Sequence, residues 1–313
     1  MTTQPTQSMT VSNKRKNADL PLWKQILPKY WYAHVVLIIA IIIIGFPMFY
    51  ALLISTQNNA QVYNHQWYPG TSFFDNLQTV MITRNMGQYM MNSAFIAMAI
   101  AIGKTIMSVL AGLGLVYFRY PGKWLVFGFV LITLIMPGDI LLIALYRRVI
   151  AYEDVVSGWL NPLIFFVENW QPHPYYSLIL PLLASATGVF IFRQHFMTIP
   201  SELSEAAQLD GANPLQFLFR VLVPLSWNTI GALMVIMFLY GWNQFLWPLI
   251  LLREQSQYVV QWGIQSLSQS AEIGDIFGPQ MMGVVVTSLP PILLFIVLQR
   301  QFMRGFALTS GSK

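Results

Sequence analysis

The residues that could take part in chemistry are few, and the most unusual is a lysine inside an apolar stretch. Lys104 is the only charged residue of segment 91–118. A lysine at the centre of a membrane-spanning helix costs about 2.5–3.5 kcal/mol on insertion scales, so it should face a bundle interior, a cavity or a carboxylate. Asp139 is the candidate carboxylate. Lys104 is therefore a structural partner of Asp139, a point charge that attracts an anionic group along a pathway, or a side chain that snorkels to the membrane edge.

Signatures of covalent chemistry are missing from the sequence. The four histidines are scattered without metal-ligand spacing, and the absence of cysteine excludes disulfides, thiolate metal sites and a cysteine nucleophile. Gly103-Lys104-Thr105 looks like the tail of a phosphate-binding loop, but Met98 stands where the first glycine of that loop would fall. We predict that this chain has no catalytic residue and no metal site, and that it binds no cofactor.

The elements that must position these residues are membrane-spanning helices. Of the 313 residues, 56% are apolar and 9% are charged, whereas soluble domains carry about 25% charged residues. A helix needs about 20 largely apolar residues to cross the bilayer core. Six segments qualify, namely 32–54, 91–118, 124–145, 176–192, 227–252 and 281–298. We predict an all-α polytopic membrane protein with six transmembrane helices.

The basic residues predict the orientation of these spans. With the N-terminus in the cytoplasm, twelve lysines and arginines fall in cytoplasmic segments and four fall on the opposite side. Both termini are therefore predicted to be cytoplasmic, and the net charge of +5 reflects topology rather than nucleic-acid binding. The predicted organisation is a cytoplasmic tail over 1–30, a six-span membrane domain over 31–305 and a cytoplasmic tail over 306–313.

A polar segment between the fourth and fifth predicted spans has a distinct local pattern. Ser201 suits the N-cap of a helix, and Gly211 suits the position just past its end, where a positive φ is needed. Asn213-Pro214 reads as a second N-cap followed by proline at the first helical position. Segment 197–224 is thus predicted to form two short helices joined at a glycine. On these grounds alone it is either a docking surface for a partner or an interfacial helix that lies on the membrane.

The spacing within this segment also resembles a known family. Glu205-Ala206-Ala207 is followed by Gly211 after three residues and, nine residues later, by Val-Leu-Val-Pro at 221–224. This resembles the EAA loop of importer permeases, the membrane subunits of binding-protein-dependent ABC transporters, which prefer Ile and Leu at the two valine positions. The resemblance implies a short cytoplasmic coupling helix that seats in the ATPase subunit. The contact would be carried by Glu205, Ala206, Ala207, Asp210 and Gly211.

Three further stretches look like the carbohydrate-type members of that family, at 184–187, 192–198 and 240–249. They look most like the second permease of importers for sn-glycerol-3-phosphate. The resemblance implies a multi-pass permease of the bacterial inner membrane that forms half of the translocation pathway for a sugar or a glycerol-3-phosphate-type substrate. The implied partners, besides membrane lipid, are a different second permease, an ABC ATPase dimer that binds ATP and Mg²⁺, and an extracytoplasmic substrate-binding protein.

Two other functions stay open at this stage. One is a permease for a neutral di- or oligosaccharide. The other is a self-contained secondary transporter or channel, which is disfavoured because Asp139 is the only acidic residue well inside a span.

The candidate substrate-pathway residues are Lys104, Asp139, Tyr240, Asn243 and Trp247. The last three fall at i, i+3 and i+7, which places them on one helix face, and amide and aromatic groups suit a polyol or a sugar ring. The alternatives are an interhelical hydrogen bond from Asn243 and packing or interfacial anchoring by Trp247. Segment 147–175 is predicted to be a folded external element that contacts the binding protein or lies in the aromatic belt of the membrane.

Overall fold

The structure is a computed structural model that describes residues 31–135, 146, 174–273 and 276–310. Asp139 and nearly all of segment 147–175 lie outside the described residues. The pairing of Lys104 with Asp139, the external element and the two tails therefore stay predictions.

Every regular element of the described residues is helical. In chain order the α-helices are α1 (Trp31–Ser55), α2 (Asn59–Tyr63), α3 (Phe73–Gln78), α4 (Met86–Tyr117), α5 (Lys123–Ile135), α6 (Pro174–Ile179), α7 (Ala186–Met197), α8 (Ser201–Leu209), α9 (Pro214–Phe217), α10 (Val223–Leu225), α11 (Trp227–Trp242), α12 (Leu246–Leu251), α13 (Val260–Ile273) and α14 (Phe277–Ser310). Single π-helical turns cover Thr79–Thr83 and Leu218–Leu222, and 3₁₀ turns cover Leu180–Leu182 and Gln255–Gln257.

The prediction of an all-helical polytopic membrane protein is confirmed. Three helices are long and apolar enough to cross a membrane, namely α1, α4 and the Phe277–Gln299 part of α14. Two further pairs reach span length if each is one bent span: Tyr175–Leu182 with α7, bent by 43°, and Pro214–Leu225 with α11, bent by 80°. Helix α5 is apolar but has 13 described residues. The described residues thus provide three to five candidate spans. The predicted span over 124–145 stays a prediction.

Helix α4 lies at the centre of the bundle, packed against α7, α11 and α13. Small residues on α4 let the neighbouring backbones approach closely, as is typical of helix pairs in membranes. A Cβ added at Gly241 of α11 would lie 2.8 Å from the Cα of Ala97, and one added at Gly112 would lie 2.9 Å from the Cβ of Phe192 on α7. The buried small residues of this face are Ser93, Ala97, Ala101, Thr105, Ser108 and Gly112.

Helix α13 was not among the predicted spans. It follows a connection that is held on α4 by polar side chains: Asn92 Nδ2 donates to the carbonyl oxygens of Ser256 (2.8 Å) and Tyr258 (3.0 Å). The N–H of Val260, the first residue of α13, donates to Ser93 Oγ at 2.8 Å. These bonds join the start of α13 to the N-terminal third of α4.

The connection between α1 and α4 is folded around two buried amide side chains. Gln57 Nε2 donates to the carbonyl oxygens of Gln66 and Tyr68, both at 2.8 Å. Asn76 Nδ2 donates to the carbonyl oxygens of Ser55 (2.9 Å) and Gln57 (3.0 Å). These bonds satisfy backbone acceptors that no regular element pairs, and they hold α2 and α3 against the end of α1.

Candidate functional site

The predicted helix–glycine–helix segment is present, with a shift of one residue at its start. Helix α8 begins at Ser201, and its N-cap is Pro200, whose extended backbone (φ −56°, ψ 136°) precedes the first helical turn. The prediction that Ser201 is the N-cap is therefore wrong. The carbonyl of Pro200 already accepts a bond from the Leu203 N–H at 3.3 Å, so the chain turns into the helix before Ser201 can act as a cap.

The end of α8 is a Schellman motif centred on Gly211. Gly211 has φ +72°, as predicted. The Ala212 N–H donates to the carbonyl of Ala207 at 2.9 Å, and the Gly211 N–H donates to that of Gln208 at 3.0 Å. This bond pair defines the motif and satisfies two carbonyls that the helix end would otherwise leave unpaired.

The second short helix begins as predicted, at Asn213-Pro214. Asn213 Oδ1 accepts a bond from the Gln216 N–H at 2.8 Å, and Gln216 Oε1 accepts one from the Asn213 N–H at 3.0 Å. This reciprocal pair is a capping box, and Pro214 occupies the first turn without losing a hydrogen bond. Two caps therefore fix the angle between α8 and α9.

The two faces of α8 differ in what they offer to a partner. Glu202, Glu205, Ala206 and Leu209 follow the i, i+3, i+4, i+7 pattern of one helix face and are all exposed, with Leu209 89% exposed. We call these four residues the outward face. The side chain of Asp210, at the C-cap, is exposed as well, whereas the predicted contact residue Ala207 is partly buried.

The opposite face of α8 lies against the bundle. Ser204, Ala207 and Gln208 line a pocket of about 190 Å³ together with Tyr117 of α4 and Phe217 of α9. One face of α8 thus lies beside α4 and α9, while the outward face is exposed.

An aromatic cluster connects this segment to the membrane helices. The buried ring of Phe217 meets Tyr117 edge-on with 5.1 Å between centroids. Tyr117 lies 6.1 Å from Phe196 of α7, which in turn lies 5.6 Å from Phe192. Helix α9 is thereby fixed to α4 and α7, while the following chain bends by 80° into α11. Movement of α9 would therefore reach α4 and α7 through these ring contacts.

Lys104 is buried within the bundle beneath an aromatic ring. Its side chain is 7% exposed, and its Nζ lies 4.0 Å from the ring centroid of Tyr240 on α11. A desolvated cation over an aromatic face gains about 2 kcal/mol or more. Within the described residues no carboxylate forms an ion pair with Lys104. Sequence reasoning named both residues but did not predict their contact.

The predicted shared face of Tyr240, Asn243 and Trp247 is wrong. Helix α11 ends at Trp242 with Asn243 as its C-cap, and Trp247 lies on the separate helix α12. The cause is Pro248, which lacks an N–H and whose ring would clash with a carbonyl one turn earlier in a continuous helix.

Tyr240 and Asn243 share an exposed end of α11, but Trp247 does not join them. Asn243 Oδ1 accepts a bond from Gln261 Nε2 of α13 at 3.2 Å. Trp247 is 1% exposed, and its Nε1 donates to the carbonyl of Leu178 at 3.2 Å. This placement favours the packing alternative for Trp247.

The helical bundle and the capped helix pair α8 and α9 are consistent with the membrane subunit of a transporter, the class that the family match shows. The family described as "binding-protein-dependent transport system inner membrane component" matches residues 105–307. The chain belongs to this family of ABC importer permeases. It is therefore a non-catalytic, multi-pass transport subunit of the inner membrane.

Among its relatives is the sn-glycerol-3-phosphate transport system permease protein UgpE of Pectobacterium atrosepticum, which is 35% identical over 282 residues. The alignment covers 88% of this chain and 94% of that protein. The UgpE of Brucella melitensis is 33% identical over 285 residues, covering 88% of this chain and 95% of the relative.

Solved structures show the same fold. A chain in the crystal structure of a bacterial ABC transporter involved in the import of the acidic polysaccharide alginate matches with a TM-score of 0.69 at 17% identity, over 96% of this chain and 100% of that one. A chain of the alginate transporter in complex with alginate pentasaccharide-bound periplasmic protein matches with a TM-score of 0.59 at 18% identity, over 90% of this chain and 97% of that one.

Proposed function

We propose that this chain is the second permease of an ABC importer for sn-glycerol-3-phosphate or a closely related phosphorylated polyol, and that it forms half of the translocation pathway. The relatives that transport sn-glycerol-3-phosphate support this substrate class at 33–35% identity. The observation that carries the proposal is the buried cation of Lys104, which no carboxylate of the described residues pairs.

The position of Lys104 suits an anionic substrate. The ring of Tyr240 covers its ammonium group and is itself 42% exposed, so rotation of this one side chain would uncover the cation. A phosphate that replaces the ring would gain a charge-assisted hydrogen bond worth about 1.5–3 kcal/mol. Asn243 and Gln261, which share a hydrogen bond near the same end of α11, offer amide groups for the hydroxyls of a polyol.

The outward face of α8 is proposed to dock in the ATPase subunit. Glu205 and Asp210 supply negative charge, Ala206 allows a close approach, and Gly211 fixes the turn. ATP and Mg²⁺ would bind to the partner ATPase dimer and not to this chain. A different second permease would complete the pathway, and an extracytoplasmic binding protein would deliver the substrate.

The test is ATP hydrolysis by the reconstituted complex with its binding protein, measured with glycerol-3-phosphate, glycerophosphodiesters and neutral sugars. We expect stimulation by the phosphorylated ligands alone. Stimulation by a neutral di- or oligosaccharide instead would discard the proposed substrate class while leaving family membership intact.

A pair of substitutions then tests Lys104 itself. Lys104→Met should raise the half-maximal concentration of the phosphorylated ligand about tenfold to a hundredfold, the equivalent of one lost charge-assisted bond. Lys104→Arg keeps the charge and should retain most of the affinity. Equal affinities in wild type and Lys104→Met would show that the cation does not meet the substrate.

A further inference from the structure

A pair of basic side chains lies where α4, α5 and α7 meet, outside the predicted spans. Lys123 is the first residue of α5, and its Nζ donates to the carbonyl oxygens of Val116 (3.0 Å) and Phe118 (3.1 Å) at the end of α4. The guanidinium of Arg193 lies over the ring of Phe127, one turn along α5, with its Cζ 4.0 Å from the centroid. Both cations therefore lie at one face of α5, and burial, followed by the positive charge of Arg193, lowers the pKa of Lys123.

The repulsion between the two positive charges is not compensated by the chain. No carboxylate of the described residues forms an ion pair with either cation, and the Arg193 guanidinium makes no hydrogen bond among them. Arginine presents five N–H donors in a planar fork, and the lysine ammonium keeps one of its three after the two carbonyls are satisfied. Two adjacent positive charges with unused donors match the oxygens of a phosphate group.

The surroundings favour a phosphate that carries acyl chains over a free one. Next to Lys123, Trp124 is 77% exposed, and Tyr120 is exposed as well. Tryptophan and tyrosine are enriched where a protein meets the head-group region. On the face of α5 that carries Lys123, the ring of Phe127 stacks on Phe190 of α7 with 6.4 Å between centroids, and Leu134, further along the same face, is exposed. An apolar surface therefore continues from the charges towards the bilayer core.

The predicted topology places this cluster on the cytoplasmic side, where the leaflet is anionic and attracts basic clusters. We propose that Lys123 and Arg193 form a head-group site for an anionic phospholipid, with the lipid phosphate held between the two cations and an acyl chain along α5. The bound phosphate would remove the repulsion between the cations. It would also connect α5 to α7 next to the aromatic cluster of Phe192, Phe196 and Tyr117. This site is independent of the transported substrate.

The experiment is lipid retention by the assembled importer complex, transferred from nanodiscs that contain phosphatidylglycerol in phosphatidylcholine and analysed by native mass spectrometry. We expect wild type to retain phosphatidylglycerol and Arg193→Gln to retain at least tenfold less, the scale of one lost charge-assisted contact. Arg220→Gln removes the same charge from an exposed position of the π-helical turn at Leu218–Leu222 and should retain as much as wild type.

Further variants and a competition with inorganic phosphate distinguish lipid binding from loss of folding and from binding of the free anion. Lys123→Gln should lose the lipid while Lys123→Arg keeps it, and unchanged melting temperatures in pure phosphatidylcholine will show that the variants fold. Equal retention in wild type and Arg193→Gln would overturn the proposal. Displacement of the lipid by millimolar inorganic phosphate would also overturn it, because the site would then bind the free anion.

Discussion

Gly211 ends α8 in a backbone conformation that favours glycine, and its replacement tests the coupling segment directly. A Cβ added at Gly211 would meet no atom within 4 Å, so alanine fits in space. The cost comes from the φ of +72°, which costs an L-residue about 1–2 kcal/mol, with asparagine tolerated better. Since 1.4 kcal/mol corresponds to a tenfold change in an equilibrium constant, Gly211→Ala changes one population ratio about fivefold to thirtyfold. It lowers the population of the native loop relative to a loop in which residue 211 has left the positive φ.

Relaxation of this strain would break the bonds from Ala212 and Gly211 to the carbonyls of Ala207 and Gln208, and α8 would lose its fixed angle to α9. We expect ATP-driven uptake in proteoliposomes to fall by up to the same factor, with Gly211→Asn intermediate between alanine and wild type. The matched control is Gly114→Ala, at a helical glycine of α4 that also has no atom within 4 Å of an added Cβ. Uptake by Gly211→Ala equal to that of Gly114→Ala would refute the reasoning.

Two further substitutions address the transmission of motion and the packing of the bundle. Phe217→Ala removes a buried ring and its edge-on contact with Tyr117, a change that destabilises soluble cores by about 3–5 kcal/mol. We expect the variant complex to hydrolyse ATP with little uptake of substrate. An unchanged ratio of uptake to hydrolysis would contradict this. Gly241→Val places a Cβ 2.8 Å from the Cα of Ala97, so α11 must move off α4; the melting temperature of the complex should fall by several degrees, whereas Gly114→Ala should leave it unchanged.

Features that depend on local backbone chemistry were predictable from the sequence. Caps and C-terminal glycines act over three to six residues, so the roles of Gly211 and of Asn213-Pro214 followed from residue types alone. The apolar segments of α1, α4 and α14 were equally predictable, because the thickness of the bilayer sets the length of a membrane-spanning helix. The N-cap of α8 lies one residue before the predicted position because the Pro200 carbonyl already accepts the first bond of the helix, from the Leu203 N–H.

Features that depend on tertiary contacts were not predictable. The contact of Lys104 with Tyr240 joins two helices that are distant in sequence, and no spacing rule connects them. Helix α13 was missed because its glutamines and serines lower its hydropathy, while the bonds of Asn92 and Ser93 that anchor it come from another helix. The face of Tyr240 and Trp247 was wrong because the i, i+3, i+7 pattern assumes one continuous helix, whereas the chain breaks between α11 and α12, just before Pro248.

The two buried amides between α1 and α4 have a consequence for the environment in which the protein works. The predicted topology places this connection outside the cytoplasm, where acidity and redox state vary with the medium. Gln57 and Asn76 hold it through hydrogen bonds to carbonyl oxygens, carboxamides do not titrate, and the chain has no cysteine to oxidise. Neither thiol reductants nor a drop in external pH acts on these bonds, so they form without oxidative folding enzymes and persist in an acidic medium.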